Sequence, residues 1–151
     1  MCGIAGIIYR NGTADGPHPP HRIGRDMTSM LQSMKHRGPD STGYALYKAP
    51  TQELLVRIKL GDPSGGEDID FADDVRRRRR EVEALLVAAG AHVRSTEDVN
   101  AYTFSATVEY HGELKRLADH VESVPHAEVL SLGHSLEIIK DLGDARTVST
   151  A

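Results

Sequence analysis

The chain has 151 residues, a length that fits one domain or part of one. Apolar residues make up 39% of it and charged residues 26%, with 18 basic and 22 acidic side chains and a net charge of −4. This balance excludes a strongly disordered chain, and no window reaches the ~18 uninterrupted apolar residues that a membrane helix needs. A single cysteine excludes an internal disulfide and gives no support to an oxidising compartment. We therefore expect a cytoplasmic protein with no membrane partner.

The first 60 residues predict strands on either side of one helix. A run of small and β-branched residues, Cys2–Tyr9, predicts a buried strand that leads into a glycine- and proline-rich loop at residues 11–24. Apolar residues then recur at spacings of three and four, which predicts an amphipathic helix over Ile23–Met34. Gly38 and Pro39 end it. Two further strands are predicted at Thr42–Lys48 and Leu54–Leu60.

The rest of the chain begins with an acidic, glycine-rich loop at residues 61–70. Helix, strand, helix and strand patterns follow at Phe71–Ala89, Tyr102–Tyr110, Leu114–Val124 and Val129–Ile139. Gly90 ends the first of these helices, and Gly133 interrupts the last strand. Because helices and strands mix without strict alternation, the predicted class is α+β rather than a doubly wound sheet.

Five consecutive arginines, Arg76–Arg80, are the most concentrated charge in the sequence. A basic run can neutralise the phosphates of a nucleic acid. Here acidic residues flank the run (Asp73, Asp74, Glu81 and Glu83), the whole chain is acidic, and no aromatic side chain is interleaved to stack on bases. Arginine stems can also cover apolar surface while their charged ends stay in water. We therefore interpret the run as a solvated helix face and expect no nucleic-acid partner.

Neither a metal site nor a cofactor site is predicted. The eight histidines are scattered, and His18 and His21 do not have the helical HxxxH spacing of zinc enzymes. No second cysteine or tight carboxylate group completes a four-ligand set. The glycine-rich segment GDPSGG at residues 61–66 lacks the lysine and threonine of a P-loop, so nucleotide binding has no support either.

The single cysteine follows the initiator methionine directly. Methionine is usually removed before a residue as small as cysteine, which leaves Cys2 with a thiol and a free α-amine. An α-amine with a pKa of ~7.7–8.0 is matched to act as a base near neutral pH, so it can activate the thiol without a histidine. The alternative is that Cys2 is a small buried residue at the start of a strand. Its position alone leaves both interpretations open.

Two segments together resemble the class II, N-terminal-nucleophile glutamine amidotransferases. The first is the start of the chain, MCGIAGI, and the second is HRGPDSTG at residues 36–43, which resembles the HRGPDxxG box of these enzymes. Their occurrence in this order makes chance a poor explanation. Within the family, the chain resembles the amidotransferase subunit of glutamate synthase-like enzymes, including N-methylglutamate synthase. Asparagine synthetase-type domains are the other close resemblance.

The resemblance implies an αββα sandwich and the hydrolysis of glutamine to glutamate and ammonia. By the same resemblance, Cys2 would attack the amide carbon, pass through a thioester and release ammonia to a partner synthase. Arg37 and Gly38 would lie beside the nucleophile, with the Gly38 backbone helping to fix the terminal amine. Asp40 and Gly43 would hold the shape of the turn. The family implies no cofactor for this step.

Three parts of the family's site are not found in this sequence: the HTR-like arginine motif for the glutamine carboxylate, the Asn-Gly pair of the oxyanion hole, and an acidic residue for the glutamine amine. The pair Asn11-Gly12 lies in the first loop and cannot be that Asn-Gly. Residues 1–60 carry the resemblance, residues 61–143 are expected to be an inserted αβαβ segment, and residues 144–151 a tail. We therefore expect the N-terminal half of an amidotransferase domain.

Two interpretations of such a half domain stay open. The first is a glutaminase subunit whose missing half comes from another chain. The second is a truncated, catalytically inactive remnant that acts as an interaction module. The first interpretation predicts a neighbouring reading frame that begins with an HTR-like motif followed by Asn-Gly.

Overall fold

The computed structural model describes residues 3–8, 22–37, 40–62 and 70–148, apart from the side chain of Thr147. The chain divides into two compact units. Unit 1 contains residues 1–44 and 139–151, and unit 2 contains residues 45–138. Unit 2 is therefore one continuous segment that is inserted in sequence between the two segments of unit 1.

The described residues form four α-helices and six strands, with a short 3₁₀ turn at Lys35–Arg37. The helices are α1 Ile23–Ser33, α2 Phe71–Ala88, α3 Leu114–Glu122 and α4 Ala145–Val148. The strands are β1 Ser41–Tyr47, β2 Leu54–Lys59, β3 His92–Asn100, β4 Thr103–Glu109, β5 Glu128–Gly133 and β6 Leu136–Leu142. This mixture of helices and antiparallel sheets confirms the predicted α+β class.

Unit 2 is built on a four-stranded antiparallel sheet with the strand order β3-β4-β2-β5. Its chain order is β2-α2-β3-β4-α3-β5. Because β4 pairs antiparallel with both β2 and β3, strands β2 and β3 run parallel to each other, and β4 lies between them. This is the βαββαβ arrangement of ferredoxin-like folds, in which each helix connects two strands that are not neighbours.

One face of this sheet packs against α2 and α3 and forms the core of unit 2. The two-residue period of β2 places Leu54, Val56 and Ile58 on that face, where their register partners on β4 are Val108, Ala106 and Phe104. Helix α2 adds Val75, Val82 and Leu86, and α3 adds Leu117 and Val121. Burying an aliphatic or aromatic side chain of this size stabilises a fold by about 1.5–3 kcal/mol, so this single layer supplies most of the stability of unit 2.

Two features of unit 2 differ from the sequence expectation. The strand β3 was not predicted, because it is an edge strand with a largely exposed, charged sequence and therefore lacks an apolar alternation. It also carries two register shifts against β4, at Val93/Ser95 and Asp98/Asn100. The single strand expected at Val129–Ile139 is two strands, β5 and β6, which belong to different sheets. The predicted interruption at Gly133 is the end of β5.

Unit 1 contains α1, the 3₁₀ turn, the first part of β1, the last part of β6 and α4. The strands β1 and β6 pair with each other in a separate two-stranded sheet. Helix α1 confirms the helix predicted at Ile23–Met34, but none of its residues is buried. Among the described residues of unit 1, only Ala145 and Val148 are buried. The described part of unit 1 therefore contains few fully buried apolar side chains.

The strand predicted at Cys2–Tyr9 is wrong for residues 3–8, which have no regular secondary structure. Cys2 and Tyr9 themselves lie outside the described residues. The side chains of Ile4 and Ile8 are 94% and 89% exposed. A strand forms only where a neighbour satisfies its backbone N–H and C=O groups, and no described strand pairs with this segment. None of the helices in the described ranges has the length and apolarity needed to cross a membrane.

Candidate active site

Two of the expected site residues, Cys2 and Gly38, lie outside the described residues, but their sequence neighbours are described. Gly3 lies against the segment that follows α1. A Cβ built on Gly3 would stand 3.3 Å from the Cβ of Arg37 and 3.5 Å from the Sδ of Met34. The structure thus brings the residue that follows Cys2 into contact with the residue that precedes Gly38.

Arg37 is held at this point by the way α1 ends. The backbone N–H of Met34 donates to the carbonyl of Leu31 at 3.0 Å, and that of Arg37 donates to the carbonyl of Met34 at 2.8 Å, so the helix tightens into a 3₁₀ turn. Lys35, His36 and Arg37 follow the C-terminus of α1, where the helix dipole favours positive charge. The Arg37 side chain is exposed, and an exposed guanidinium can bind a carboxylate through two parallel hydrogen bonds.

The other two expected residues, Asp40 and Gly43, contact the second segment of unit 1, which follows unit 2 in sequence. The carbonyl of Asp40 accepts a hydrogen bond from the backbone N–H of Gly143 at 3.1 Å. Gly43 lies inside β1, not in the turn, and a Cβ on it would come within 3.3 Å of the carbonyl oxygen of Ile139. The absence of a side chain at Gly43 therefore permits the close approach of β6.

Three side chains of unit 1 add to this connection between its two segments. Thr42 Oγ1 donates to the carbonyl of Gly143 at 3.0 Å, and the Tyr44 hydroxyl donates to the carbonyl of Ala145 at 2.8 Å. Gln32 Nε2 of α1 donates to Asp144 at 3.0 Å. The segment after the HRGPD box is thus fixed by residues that are about a hundred positions away in sequence, on the far side of unit 2.

Unit 2 contains a buried ion cluster that sequence reasoning missed. Arg57 and Lys48 both donate to the carboxylate of Glu137, and the side chains of Arg57 and Glu137 are only 8% and 11% exposed. Burial raises the pKa of the Glu137 carboxyl, but the hydrogen bond from Lys48 and the charge of Arg57 outweigh it, so the pKa lies below its ordinary value. On β2, Leu55, Arg57 and Lys59 share one face of the strand, and its two charged residues indicate a partly polar sheet face. Nothing in the sequence indicates that Glu137 is the partner of Arg57.

A cavity of about 210 Å³ lies beside this cluster, lined in part by Lys48, Leu55, Thr107 and Glu137. The two loops at its rim are joined by a hydrogen bond of 3.0 Å from the backbone N–H of Thr51 to the carbonyl of His134. Its volume is below the ~300–1,000 Å³ of typical small-molecule sites, and we assign it no ligand. Among the described residues, no group of three His, Cys, Asp or Glu side chains is placed to hold a metal ion.

Comparison with known proteins gives two relatives of this chain and no matching family profile. The chain is 32% identical over 154 residues to a protein of Methanothermobacter thermautotrophicus named "Putative glutamine amidotransferase", a match that covers 99% of the chain and 46% of the relative. It is 29% identical over 144 residues to "Glutamine amidotransferase-like protein GlxB" of Rhizobium meliloti, covering 95% of the chain and 42% of the relative.

These relatives support a glutamine amidotransferase family for the chain. The chain spans less than half the length of either relative. The similarity extends over nearly the whole chain and so includes unit 2 as well as unit 1.

Proposed function

We propose that this chain is the nucleophile-bearing part of a class II glutamine amidotransferase, which hydrolyses glutamine to glutamate and ammonia through an N-terminal cysteine. The observation that carries the proposal is the contact between Gly3 and Arg37. It joins the two motifs that are far apart in sequence at the point where the proposed chemistry requires them to meet. The names of the two relatives support a glutamine amidotransferase function in general.

The proposed reaction begins with removal of Met1, which frees the α-amine of Cys2. This amine takes the thiol proton, and the sulfur attacks the side-chain amide carbon of glutamine to form a tetrahedral intermediate. The proton then passes to the leaving nitrogen, so that ammonia departs and a thioester remains. A water molecule, deprotonated by the same amine, attacks the thioester, and the returning proton restores the thiol as glutamate leaves.

Arg37 would act in this scheme as a positioning residue. Its Cβ lies against Gly3, the residue after Cys2. A guanidinium carried from that position would favour the reactive thiolate of Cys2 over the thiol. Gly38 would approach the terminal amine with its backbone, which a residue without a Cβ allows. Asp40 and Gly43 would hold this segment against the chain that returns from unit 2.

The proposal includes an αββα sandwich of which unit 1 supplies only part, and a synthase that receives the ammonia. A cytoplasmic location suits a nucleophilic cysteine that must stay reduced. The alternative is an inactive remnant that serves as an interaction module. It draws its support from the described residues, which form a buried apolar core in unit 2 but include only Ala145 and Val148 as buried apolar residues in unit 1.

Covalent labelling of Cys2 separates these two functions. In the presence of a polypeptide that supplies the missing motifs, we expect an electrophilic analogue of glutamine to label the chain at Cys2, and excess glutamine to protect it while excess asparagine does not. Because Cys2 is the only cysteine, Cys2→Ala is the matched control and should take up no label. Labelling by the analogue at no more than the rate of a simple alkylating reagent under these conditions, without protection by glutamine, would favour the remnant.

Turnover is the second readout. Losing one oxyanion donor costs ~10²–10³ in rate, and the sequence lacks both the expected oxyanion pair and the arginine for the substrate carboxylate. Glutamate release by the chain alone should therefore be negligible. Robust turnover by the chain alone that Cys2→Ala abolishes would show that the site is complete without a partner and would contradict the half-site interpretation.

A further inference from the structure

One polar face of helix α1 is hydrogen-bonded to other parts of unit 1. Thr28 and Gln32 are four positions apart in α1 and therefore lie on the same face of the helix. Thr28 Oγ1 lies 3.2 Å from the Tyr44 hydroxyl, which donates to the carbonyl of Ala145 at 2.8 Å. Gln32 Nε2 donates to Asp144 Oδ2 at 3.0 Å. Two successive turns of α1 are thus connected to the start of α4.

The bond between Gln32 and Asp144 is the stronger of these two connections. A hydrogen bond to an ionised carboxylate stabilises a structure more than a bond between neutral groups. The other carboxylate oxygen of Asp144, Oδ1, accepts from the backbone N–H of Arg146 at 3.1 Å at the start of α4. The amide oxygen of Gln32 is buried and has no hydrogen-bond partner among the described residues. The orientation of this amide in the described structure is therefore set by its bond to Asp144.

The end of α1 connects this bond to the N-terminal segment. Arg37 follows Gln32 within two turns of chain, and its backbone N–H donates to the carbonyl of Met34 at 2.8 Å. Because the helix and its terminal turn are joined by backbone hydrogen bonds, they shift together. A Cβ built on Gly3 would stand 3.3 Å from the Cβ of Arg37. A shift of α1 against the start of α4 would therefore change the contact between residues 3 and 37.

We propose that Gln32 is a positioning residue for the proposed reaction. Through its bond to Asp144 it holds α1 where Arg37 contacts Gly3, and so keeps the HRGPD box beside the residue that follows Cys2. In this role Gln32 acts through Arg37 and contacts neither the substrate nor the thiol. The inference rests on the proposed function, because the contact that it maintains is the one that joins the two motifs.

Exchanging the donor and the acceptor tests the bond itself. Gln32→Glu places a second carboxylate against Asp144, and two like charges at this distance repel each other. Adding Asp144→Asn restores a donor, because the new amide can donate to the carboxylate at position 32 while its oxygen still accepts from Arg146. We call Gln32→Glu/Asp144→Asn the exchange variant. It remakes the hydrogen bond without either of the native side chains.

A pair of cysteines reports the position of Arg37 relative to Gly3. The reporter is the full chain with Cys2→Ala/Gly3→Cys/Arg37→Cys, which contains no other cysteine. The separation of 3.3 Å is close to the ~3.5–4.5 Å between the Cβ atoms of a disulfide, so the pair should oxidise in a glutathione buffer. The redox equilibrium gives the effective concentration of the two thiols. Gln32→Glu should lower this effective concentration about tenfold, and the exchange variant should return it to within about twofold.

Ser33→Ala is the matched control. Ser33 follows Gln32 in α1, but its hydroxyl donates to the carbonyl of Ser29 at 2.9 Å within the same helix. The effective concentration should therefore stay unchanged in this variant. If Gln32→Glu does not unfold cooperatively, Gln32→Met replaces it, because it removes the donor without adding a charge, and it should lower the effective concentration at least about threefold. An equal fall in Ser33→Ala, no fall on substitution of Gln32, or no recovery in the exchange variant would overturn the proposal.

The reactivity of Cys2 is measured separately, in chains that keep Gly3 and Arg37. Under the conditions that label the unaltered chain with the glutamine analogue, Gln32→Glu should lower the saturating rate about tenfold. The analogue concentration at half the maximal rate, and the rate with a simple alkylating reagent, should stay within about twofold. The exchange variant should regain the rate of the unaltered chain.

The two measurements separate the inference from the proposed function. The cysteine reporter lacks Cys2 and therefore does not depend on the reaction. A reporter that responds as expected, in a protein whose Cys2 the analogue never labels, contradicts the proposed function alone. Labelling of Cys2 that is equally fast in Gln32→Glu and in the unaltered chain overturns the positioning role and supports the proposed function.

Discussion

A Cβ built on Gly3 would stand 3.3 Å from the Cβ of Arg37, whereas a Cβ built on Gly6 would meet nothing within 4 Å. The first contact is tighter than ordinary packing allows, so one of the two segments would have to move by a few tenths of an ångström. Two glycines of the same short segment thus face different surroundings. They allow a test of whether the position of residue 3 matters for the reactivity of Cys2.

We predict that Gly3→Ala slows labelling of Cys2 by an electrophilic glutamine analogue by about tenfold. A displacement of 1 Å can cost ~10² in rate, and the shift needed here is smaller. Gly6→Ala is the control and should label within about twofold of the unaltered chain, because its methyl group enters open space. The rates are measured by intact mass over time. Equal rates for the two variants would contradict a role for the contact between Gly3 and Arg37.

The second prediction concerns the processing of the N-terminus. If the amine of Cys2 is the base, Met1 must be removed, because an acylated amine cannot accept a proton. The intact mass of protein purified from its native host should be lower than that of the full sequence by one methionine. A mass that retains Met1 in all molecules, in a preparation that still hydrolyses glutamine, would exclude this mechanism.

The third prediction concerns the ion cluster of unit 2. Glu137→Gln keeps the shape of the side chain but leaves Arg57 with a buried charge and no countercharge. We expect it to reduce the free energy of unfolding by about 3 kcal/mol, the lower end of the range for breaking a buried ion pair, because Lys48 is 57% exposed. Glu109→Gln, which removes the exposed pair with Arg94, should leave stability nearly unchanged in the same denaturant titration. Equal effects of the two substitutions would contradict the burial of the cluster.

The same cluster gives a pH dependence with a definite sign. The pKa of Glu137 is lower in the folded state than its ordinary 4.5, so the carboxylate stabilises the fold at neutral pH. This contribution is fully present above 4.5 and is lost as the pH falls through the lower folded value. The difference in unfolding free energy between the unaltered chain and Glu137→Gln should therefore be constant from pH 7 to pH 5 and should shrink in more acidic solution. A difference that grows on acidification would contradict the assignment.

The last prediction concerns the arginine run on α2. Arg76 pairs with Asp73, Arg77 with Asp74, and Arg79 with Glu83 and Asp98, so acidic neighbours already offset much of the charge of the run. Binding to DNA or RNA near physiological salt should be no better than non-specific, with a Kd weaker than ~10⁻⁶ M. Fluorescence anisotropy with labelled oligonucleotides measures it. A tight complex that is lost in Arg76→Ala/Arg77→Ala would support a nucleic-acid partner instead.

The three longer helices and the buried strands of this protein could be predicted from the sequence because each carries its signal locally, whereas the short helix α4 lies where only a tail was expected. Helix α1 and strand β2 begin where their apolar periods begin, and α2 is followed by Gly90, which has the positive φ of 89° that favours glycine. The two motifs of the proposed site were also visible, as runs of particular residues in a particular order. What they do chemically remains a proposal that the labelling of Cys2 tests.

The edge strand β3 and the N-terminal segment could not be predicted in the same way. The strand β3 forms because β4 lies beside it, although its own sequence is charged and exposed. Residues 3–8 have the apolar composition of a strand but find no strand to pair with among the described residues. In both cases the presence of a neighbour decides the conformation, because a strand satisfies its backbone hydrogen bonds only between segments.

The sequence by itself determined the three longer helices, α1, α2 and α3, the apolar face of β2, and the residues of the two motifs. Only the tertiary structure decided that Gly3 contacts Arg37, that Arg57 and Lys48 share Glu137, and that the elements from β2 to β5 form a βαββαβ arrangement. The physical reason is the distance along the chain over which each effect acts. Periodicity and capping act within a few turns of the chain, whereas the contact between Arg57 and Glu137 joins residues 80 positions apart on β2 and β6, two strands of different sheets.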